Sequence, residues 1–302
     1  MNAVSVVVPV TPAPWRDFLE LTKPRIASFV LFAAFAAALL YPGASFGFAA
    51  LAAAAVGAVA AGSSALNHVI ERRTDRLMER TRRRPVVTGR LSPRAAAAFG
   101  LGLGALGTFV LAVFFGPIAA IAAVATFVLY AGIYTPLKRR TTLNTIVGAV
   151  PGAMPPLLAY GAMSEAAGAG FQGGVWGWTL FLAVFAWQFP HFLAIAYLYR
   201  EDYARGGHAM LPSLPGAGPM AGRQALLNAL ALIPATLVPL PLGESGPLYA
   251  AAALVLGAVY AHAAGRFALQ QDEARARLLL RVSLVHLPSL FTAALVDRLV
   301  LA

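Results

Sequence analysis

Nine apolar runs follow one another along this chain, near residues 25–42, 46–70, 95–114, 117–135, 144–162, 175–199, 222–242, 247–266 and 278–297. Each is close to the length of about 20 residues that crosses a bilayer. Lipid offers no partner to a backbone N–H or C=O, so runs of this kind must be helices. Only 12% of the 302 residues are charged, against about 25% in soluble domains. The expected fold is therefore an all-α integral membrane bundle. Glycine and alanine recur inside the runs, as in G-L-G-L-G-A-L-G at 100–107, and small residues let membrane helices approach closely.

Charge placement sets an orientation. Of the 23 lysines and arginines, all but Arg298 fall in the N-terminal tail, in the connections after helices 2, 4, 6 and 8, or on adjoining helix ends. The connections after helices 1, 3, 5 and 7 carry none. With nine helices, this puts the N-terminus and the polar loops in the cytoplasm and the short C-terminus outside. The net charge of +11 does not describe a nucleic-acid-binding face, because the arginines sit between apolar runs. Cysteine is absent, which excludes disulfides, thiol catalysis, Cys-zinc sites and c-type haem attachment. The N-terminus lacks the basic start of a signal peptide. Residues 1–24 read as a cytoplasmic tail and an interfacial segment around Trp15 and Phe18. Residues 25–302 read as one transmembrane domain.

The richest chemistry lies just after the second run. Asn67 to Pro85 reads N-H-V-I-E-R-R-T-D-R-L-M-E-R-T-R-R-R-P, with three acids and seven arginines. Asn67, Glu71 and Asp75 are four apart, so on a helix they climb one face. Oxygen-bearing side chains in such a stripe suit a hard cation such as Mg²⁺. Arg80 and Arg84 follow at the same spacing, and guanidinium forks suit phosphate. Two plainer readings stand beside this one. The loop could serve only to fix topology, and Glu71 and Asp75 could pair with Arg72, Arg73 or Arg76.

Two further same-side loops carry polar groups. Tyr134 to Thr145 reads Y-T-P-L-K-R-R-T-T-L-N-T, in which Lys138 can meet a phosphate as a point charge or serve as a membrane anchor. The next run carries Pro151, Pro155 and Pro156, so it is expected to bend or break. Trp187 to Pro212 starts inside the membrane, with Gln188, Pro190 and His191, and continues to Glu201 and Asp202. An intramembrane histidine can ligate haem iron, move a proton or hold structure. His208 is a weaker candidate, and His262 and His286 read as structural. Converging acids and cations beside an apolar bundle suit ionisation of an allylic diphosphate, whose leaving group needs neutralising away from water. A transporter would place its polar groups at the bilayer midplane instead. A haem-carrying electron-transfer protein would use paired histidines, such as His191 with His262 or His286.

At these residues the chain resembles the UbiA superfamily of intramembrane prenyltransferases. The likeness covers F-L-E-L-T-K-P-R at 18–25, N-x-x-x-E-x-x-x-D-x-x-M-x-R-T-x-x-R-P at 67–85 and Tyr134, Thr135, Leu137, Lys138 and Arg139 with Asn144 and Thr145 beyond. It continues through V-G-A-V-P-G-A-M-P-P at 147–156 and W-Q-x-P-H-F with Y-R-E-D-Y-A-R-G-G at 187–207. The last pair of motifs is similar to the haem branch of the superfamily.

The resemblance implies nine helices around a central cavity, with polar cap loops after helices 2 and 6, in the cell inner membrane. It implies transfer of farnesyl from farnesyl diphosphate to a vinyl group of haem b, giving haem O, with haem as substrate. A sister branch prenylates aromatic acids for quinone synthesis. Mg²⁺ would be held by Asn67, Glu71, Asp75 and Asp202, and diphosphate by Arg80, Arg84, Lys138 and Arg139. Haem would meet His191, Trp187 and Tyr134. Asn67, Asp75, Arg80, Arg84 and His191 form the implied catalytic set, and haem A synthase is the implied partner. Glu71 stands where many relatives carry aspartate. The second loop lacks a plain D-x-x-x-D, which leaves Glu201 as the nearest partner for Asp202.

Overall fold

The computed structural model describes residues 15–301, so the tail expected over 1–14 lies outside the described residues. Ten helices of seven residues or more carry the fold: α1 (Trp15–Leu21), α2 (Pro24–Leu39), α3 (Phe46–Ile70), α4 (Pro93–Phe114), α5 (Pro117–Val128), α6 (Asn144–Ala166), α7 (Gly174–Leu198), α8 (Gly218–Leu237), α9 (Pro247–Leu269) and α10 (Glu273–Leu301). Helix α5 continues through a π turn, Leu129–Tyr134, into Thr135–Leu137. No strand occurs among the described residues.

Seven of these helices are long and apolar enough to cross a membrane. The expected runs at 25–42 and 222–242 fall short for different reasons. Helix α2 has only 16 residues, about 24 Å at 1.5 Å per residue, against a hydrocarbon core of about 30 Å. With α1, which meets it at a 57° bend, it makes an eighth candidate. Helix α8 carries Arg223, Gln224 and Asn228, which lower its hydropathy. The prolines of α6 do not break it, since one helix runs from Asn144 to Ala166 around Pro151, Pro155 and Pro156.

Two apolar cores share α2 and α6. One packs α2, α3, α4, α5 and α6 around Val56, Leu111 and Leu158. The other packs α7, α8, α9 and α10 with α2 and α6 around Leu180, Leu232, Tyr260 and Phe291. Helices α3 and α4 touch along glycines: a Cβ on Gly62 would lie 2.4 Å from the Gly100 carbonyl, and one on Gly107 would lie 2.4 Å from the Ala55 carbonyl. Outward-facing residues such as Phe109 (63% exposed) and Ile121 (67%) are apolar. Such a surface suits a lipid surround rather than water.

At the ends without basic loops, two acids hold helix starts. Glu165 accepts the Ile118 and Ala119 N–H groups at 2.9 and 2.7 Å. Asp297 accepts those of Gly246 and Tyr249 at 2.6 and 3.0 Å. Both satisfy orphan donors at a helix N-terminus, where negative charge is favoured.

Candidate functional site

The three polar loops meet at the end of the bundle reached by α3, α5 and α7. Ala209 N–H donates to the Lys138 carbonyl at 2.7 Å, and Asn144 Nδ2 donates to the Ala209 carbonyl at 2.9 Å. Asp202 accepts the backbone N–H of Glu79 at 3.1 Å and of Arg80 at 3.2 Å. Two of these ties join the third loop to the second, and the Asp202 pair joins it to the first.

The stripe of Asn67, Glu71 and Asp75 forms although α3 ends at Ile70. Glu71 N–H donates to the Asn67 carbonyl at 2.9 Å, and Asp75 N–H to the Glu71 carbonyl at 2.8 Å. Helical spacing therefore carries on through the short turn Arg72–Asp75. All three side chains are buried.

Their partners come from other segments rather than from Arg72, Arg73 or Arg76. Asn67 accepts from Lys23 Nζ at 2.8 Å and donates to Thr135 Oγ1 at 3.3 Å. Glu71 pairs with Lys138 at 2.8 Å, and Asp75 pairs with Arg84 at 2.6 Å. Thr135 also donates to the Tyr130 carbonyl at 2.9 Å, inside the π turn. Such turns often mark functional positions because they re-aim side chains on an otherwise regular helix.

The charges shape one another. Burial pushes the Glu71 carboxyl up, but Lys138, with help from Lys23 and His208, holds it down at about 2. Burial pulls the Lys138 ammonium down, yet Glu71 and the two tyrosines of the π turn push it upward overall. Asp75 goes the other way: burial, reinforced by Glu71, raises it against the pull of Arg84. One of its oxygens, Oδ1, is buried without a hydrogen-bond partner.

Arg80 and Arg84 do not act as one clamp. Arg84 turns inward to Asp75. Arg80 is exposed and lies over Tyr199 and Tyr203, its Cζ 5.2 and 5.7 Å from their ring centres. Its Nη2 donates to Tyr203 Oη at 3.3 Å. Asp202 also pairs with Arg205. Burial raises its carboxyl, but Arg205 and the Glu79 and Arg80 amides bring it below the ordinary value. Glu201 and Arg139 are exposed and make no side-chain hydrogen bond or ion pair among the described residues.

Helix α6 links this polar end to the histidine. A Cβ on Gly148 would lie 2.4 Å from the Tyr134 ring, and one on Gly152 would lie 2.6 Å from Gln188 Oε1. Gln188 donates to the Ala149 carbonyl at 2.8 Å. One turn along α7 toward the polar end, His191 stacks on Trp187 at 4.6 Å, and Phe29 also stacks on Trp187 at 5.8 Å. Trp187 Nε1 donates to the Ser283 carbonyl at 2.9 Å.

His191 Nδ1 lies 2.8 Å from Ser283 Oγ, and Ser283 Oγ donates its single proton to the Leu280 carbonyl at 2.6 Å. The hydroxyl is then an acceptor toward the ring, so Nδ1 carries the imidazole proton. Nε2 keeps its lone pair, free to ligate a metal or accept a proton.

Among the other histidines, His262 is exposed, and His286 Nδ1 sits 3.1 Å from the Leu256 carbonyl. His208 is buried with neither nitrogen hydrogen-bonded, and burial lowers it to about 4. His68, next to Asn67, is likewise buried and unpartnered.

Sequence reasoning had no signal for Ser283, and Thr135 stood in the motif that begins at Tyr134 without a role. Lys23 stood in the T-K-P-R segment without a role. An apolar groove of about 430 Å³, lined by Leu101, Phe109, Val124 and Phe127, lies on the outer flank of α4 and α5 and includes none of the polar cluster.

No group of three or more His, Asp or Glu side chains among the described residues is arranged to hold a metal. Oxygen donors of the kind a hard cation takes are present in Asn67, Glu71, Asp75 and Asp202, but Lys23, Lys138, Arg84 and Arg205 with two backbone amides engage them, and Asp75 Oδ1 is buried without a hydrogen-bond partner.

The chain matches the UbiA prenyltransferase family over residues 28–285. It is 40% identical to the protoheme IX farnesyltransferase of Solibacter usitatus, covering 94% of this chain and 99% of that one. It is also 40% identical to the enzyme of the same name from Leptothrix cholodnii, over 99% and 97%. Among solved structures, a UbiA homologue from Aeropyrum pernix superposes with a TM-score of 0.71 at 22% identity, covering 90% and 98%. One from Archaeoglobus fulgidus, bound to DMAPP and Mg²⁺, superposes with a TM-score of 0.63 at 17% identity, covering 93% and 99%.

Proposed function

The chain belongs to the UbiA prenyltransferase family, and on that premise we propose that it transfers a farnesyl group from farnesyl diphosphate to a vinyl group of haem b, giving haem O. The carrying observation is the buried cluster where Glu71 meets Lys138 and Asp75 meets Arg84, together with His191 stacked on Trp187 one turn away on α7. The choice of haem as acceptor follows the near full-length likeness to protoheme IX farnesyltransferases.

Arg84 and Lys138 neutralise the departing diphosphate, so that its negative charge grows in a site with little water. Asn67, Glu71, Asp75 and Asp202 are the groups that would hold Mg²⁺, which when bound supplies Lewis-acid neutralisation of the same charge. The C1–O bond of the donor loosens and the vinyl carbon attacks the allylic cation. Water captures the cation left beside the ring, forming the hydroxyethylfarnesyl group. Phe29 and His191, both stacked against the buried Trp187, would line the acceptor end of the site, and His191 offers Nε2.

The nine-helix topology, a central cavity between the two cores, one domain over 25–302 and cytoplasmic polar loops belong to the same reading. So do an outward C-terminus and residence in the cell inner membrane, with haem A synthase taking up the product. The test is purified protein with haem b, farnesyl diphosphate and Mg²⁺, followed by mass spectrometry. Haem O is expected. Prenylation of an aromatic acid with no haem O would move the chain to the quinone branch.

A further inference from the structure

Glu71 and Asp75 take their cations from Lys138 and Arg84, which leaves the arginines beside them in the sequence without those acids. Arg73 and Arg76 are exposed, and their side chains form no hydrogen bond or ion pair among the described residues. The same holds for Arg139 and Arg140 on the second polar loop. Residues 1–14 contain no acid to supply a partner. Other basic groups at this end are matched: Arg205 pairs with Asp202, Arg275 with Asp272 and Arg277 with Glu273.

The four unmatched guanidinium groups come from two segments held together. Glu71 and Lys138 meet at 2.8 Å, with Arg73 two residues from the first and Arg139 next to the second. Like charges brought this close repel one another, and bound anions offset the cost.

Their depth is set by the spans they follow. Helix α3 ends at Ile70, and the neighbouring span ends at Leu137. Arg73 and Arg76 stand three and six residues past Ile70, about 5 and 9 Å along a helix axis. The headgroup layer adds about 5–8 Å to each side of the hydrocarbon core. Exposed apolar groups border the cations. Ile70, Arg73 and Leu77 follow at helical spacing, and Leu143 lies three residues past Arg140. The three apolar side chains are 44%, 56% and 57% exposed. A phospholipid meets both kinds of group, phosphate on the arginines and methylenes on the leucines and isoleucine. A free phosphate or a water-borne acidic protein has no use for the apolar border.

We propose that Arg73, Arg76, Arg139 and Arg140 form a docking surface for anionic phospholipid headgroups of the adjoining leaflet, which hold the first two polar loops against the bilayer. The surface is separate from the buried cluster of Glu71, Lys138, Asp75 and Arg84.

The test titrates the protein in detergent with phosphatidylglycerol or phosphatidylcholine and reads the retained lipid by native mass spectrometry. The unaltered protein should retain phosphatidylglycerol at least about tenfold better. A cation near a membrane surface contributes about fivefold, so the combined variant Arg73→Gln, Arg76→Gln, Arg140→Gln should lose most of that preference at unchanged Tm. The pair Arg275→Gln, Arg277→Gln removes two arginines already matched by acids and should keep it. Glycerol 3-phosphate, a headgroup phosphate without chains, should not displace the lipid. Equal retention of the two lipids by the unaltered protein overturns the proposal and leaves an acidic protein as the occupant. An unchanged preference in the folded triple variant, an equal loss in the control pair, or displacement by glycerol 3-phosphate also overturns it.

A second measurement needs no variant. In nanodiscs containing phosphatidylglycerol, but not in phosphatidylcholine alone, Arg73, Arg76 and Arg140 should be protected from phenylglyoxal, as read by peptide mass spectrometry. Equal modification in the two bilayers overturns the proposal.

Discussion

Asp202 accepts the backbone N–H of Arg80 at 3.2 Å across 122 residues of sequence. With the Glu79 N–H on its other oxygen, the carboxylate holds the first polar loop by its backbone. Removing it in Asp202→Ala leaves two donors without their acceptor, a cost of about 1–3 kcal/mol. Hydrogen exchange of the Glu79 and Arg80 amides should accelerate about tenfold, measured on a peptide spanning 76–84. The Asp202 carboxyl lies below its ordinary value of 3.8. The clamp is therefore fully present above that pH and weakens as pH falls through the folded value.

Glu71 and Lys138 form a mostly buried pair, with side chains 8% and 12% exposed. Breaking one partner strands a charge, so Glu71→Gln or Lys138→Met should each cost about 3–5 kcal/mol. The double variant should lose less than the sum of the two, because it buries neither charge. Thermal unfolding in detergent reads this cycle. The Glu71 contribution is complete above 4.5 and declines as pH falls toward about 2. The Lys138 contribution is complete below 10.5 and declines only above it, so the coupling stays flat from pH 5 to 10.

The apolar runs were legible because a span must be continuous and apolar, and α3 occupies the predicted 46–70. The stripe of Asn67, Glu71 and Asp75 was legible because its spacing is local. Their partners were not. Lys23, Arg84 and Lys138 reach the stripe from three segments, and only packing decides which acid each cation meets. The equal spacing of Arg80 and Arg84 was misleading for the same reason. The chain leaves the helix after Asp75, so residues four apart no longer share a face. The Ser283 contact to His191 spans 92 residues and carries no motif.

Asp75 separates stability from chemistry. Burial raises its carboxyl above 3.8, so the ionised form is disfavoured in the folded state, and its contribution falls as pH rises through the folded value. Asp75→Asn removes that charge and keeps an oxygen for Arg84. The Tm at pH 7.5 should be equal or higher, while turnover falls by about 100-fold or more. A haem carrier without catalysis would keep its bound haem and show no such split between melting and rate.

His191 provides a spectroscopic test of the acceptor side. With Nδ1 protonated against Ser283, Nε2 is the nitrogen able to meet haem iron. Titrating haem b into the protein should shift the Soret band, and His191→Ala should abolish the shift if the imidazole ligates. Ser283→Ala frees the tautomer without touching the haem, so it should weaken haem binding several-fold and leave pyrophosphate inhibition unchanged. A Soret shift that survives in His191→Ala, alongside a fall in kcat and a changed pH–rate profile, would give Nε2 the proton-accepting role instead. Either outcome depends on the serine donating to Leu280 rather than to the ring. Ser283→Cys, a weaker donor and acceptor in the same place, should lie between the alanine variant and the unaltered protein.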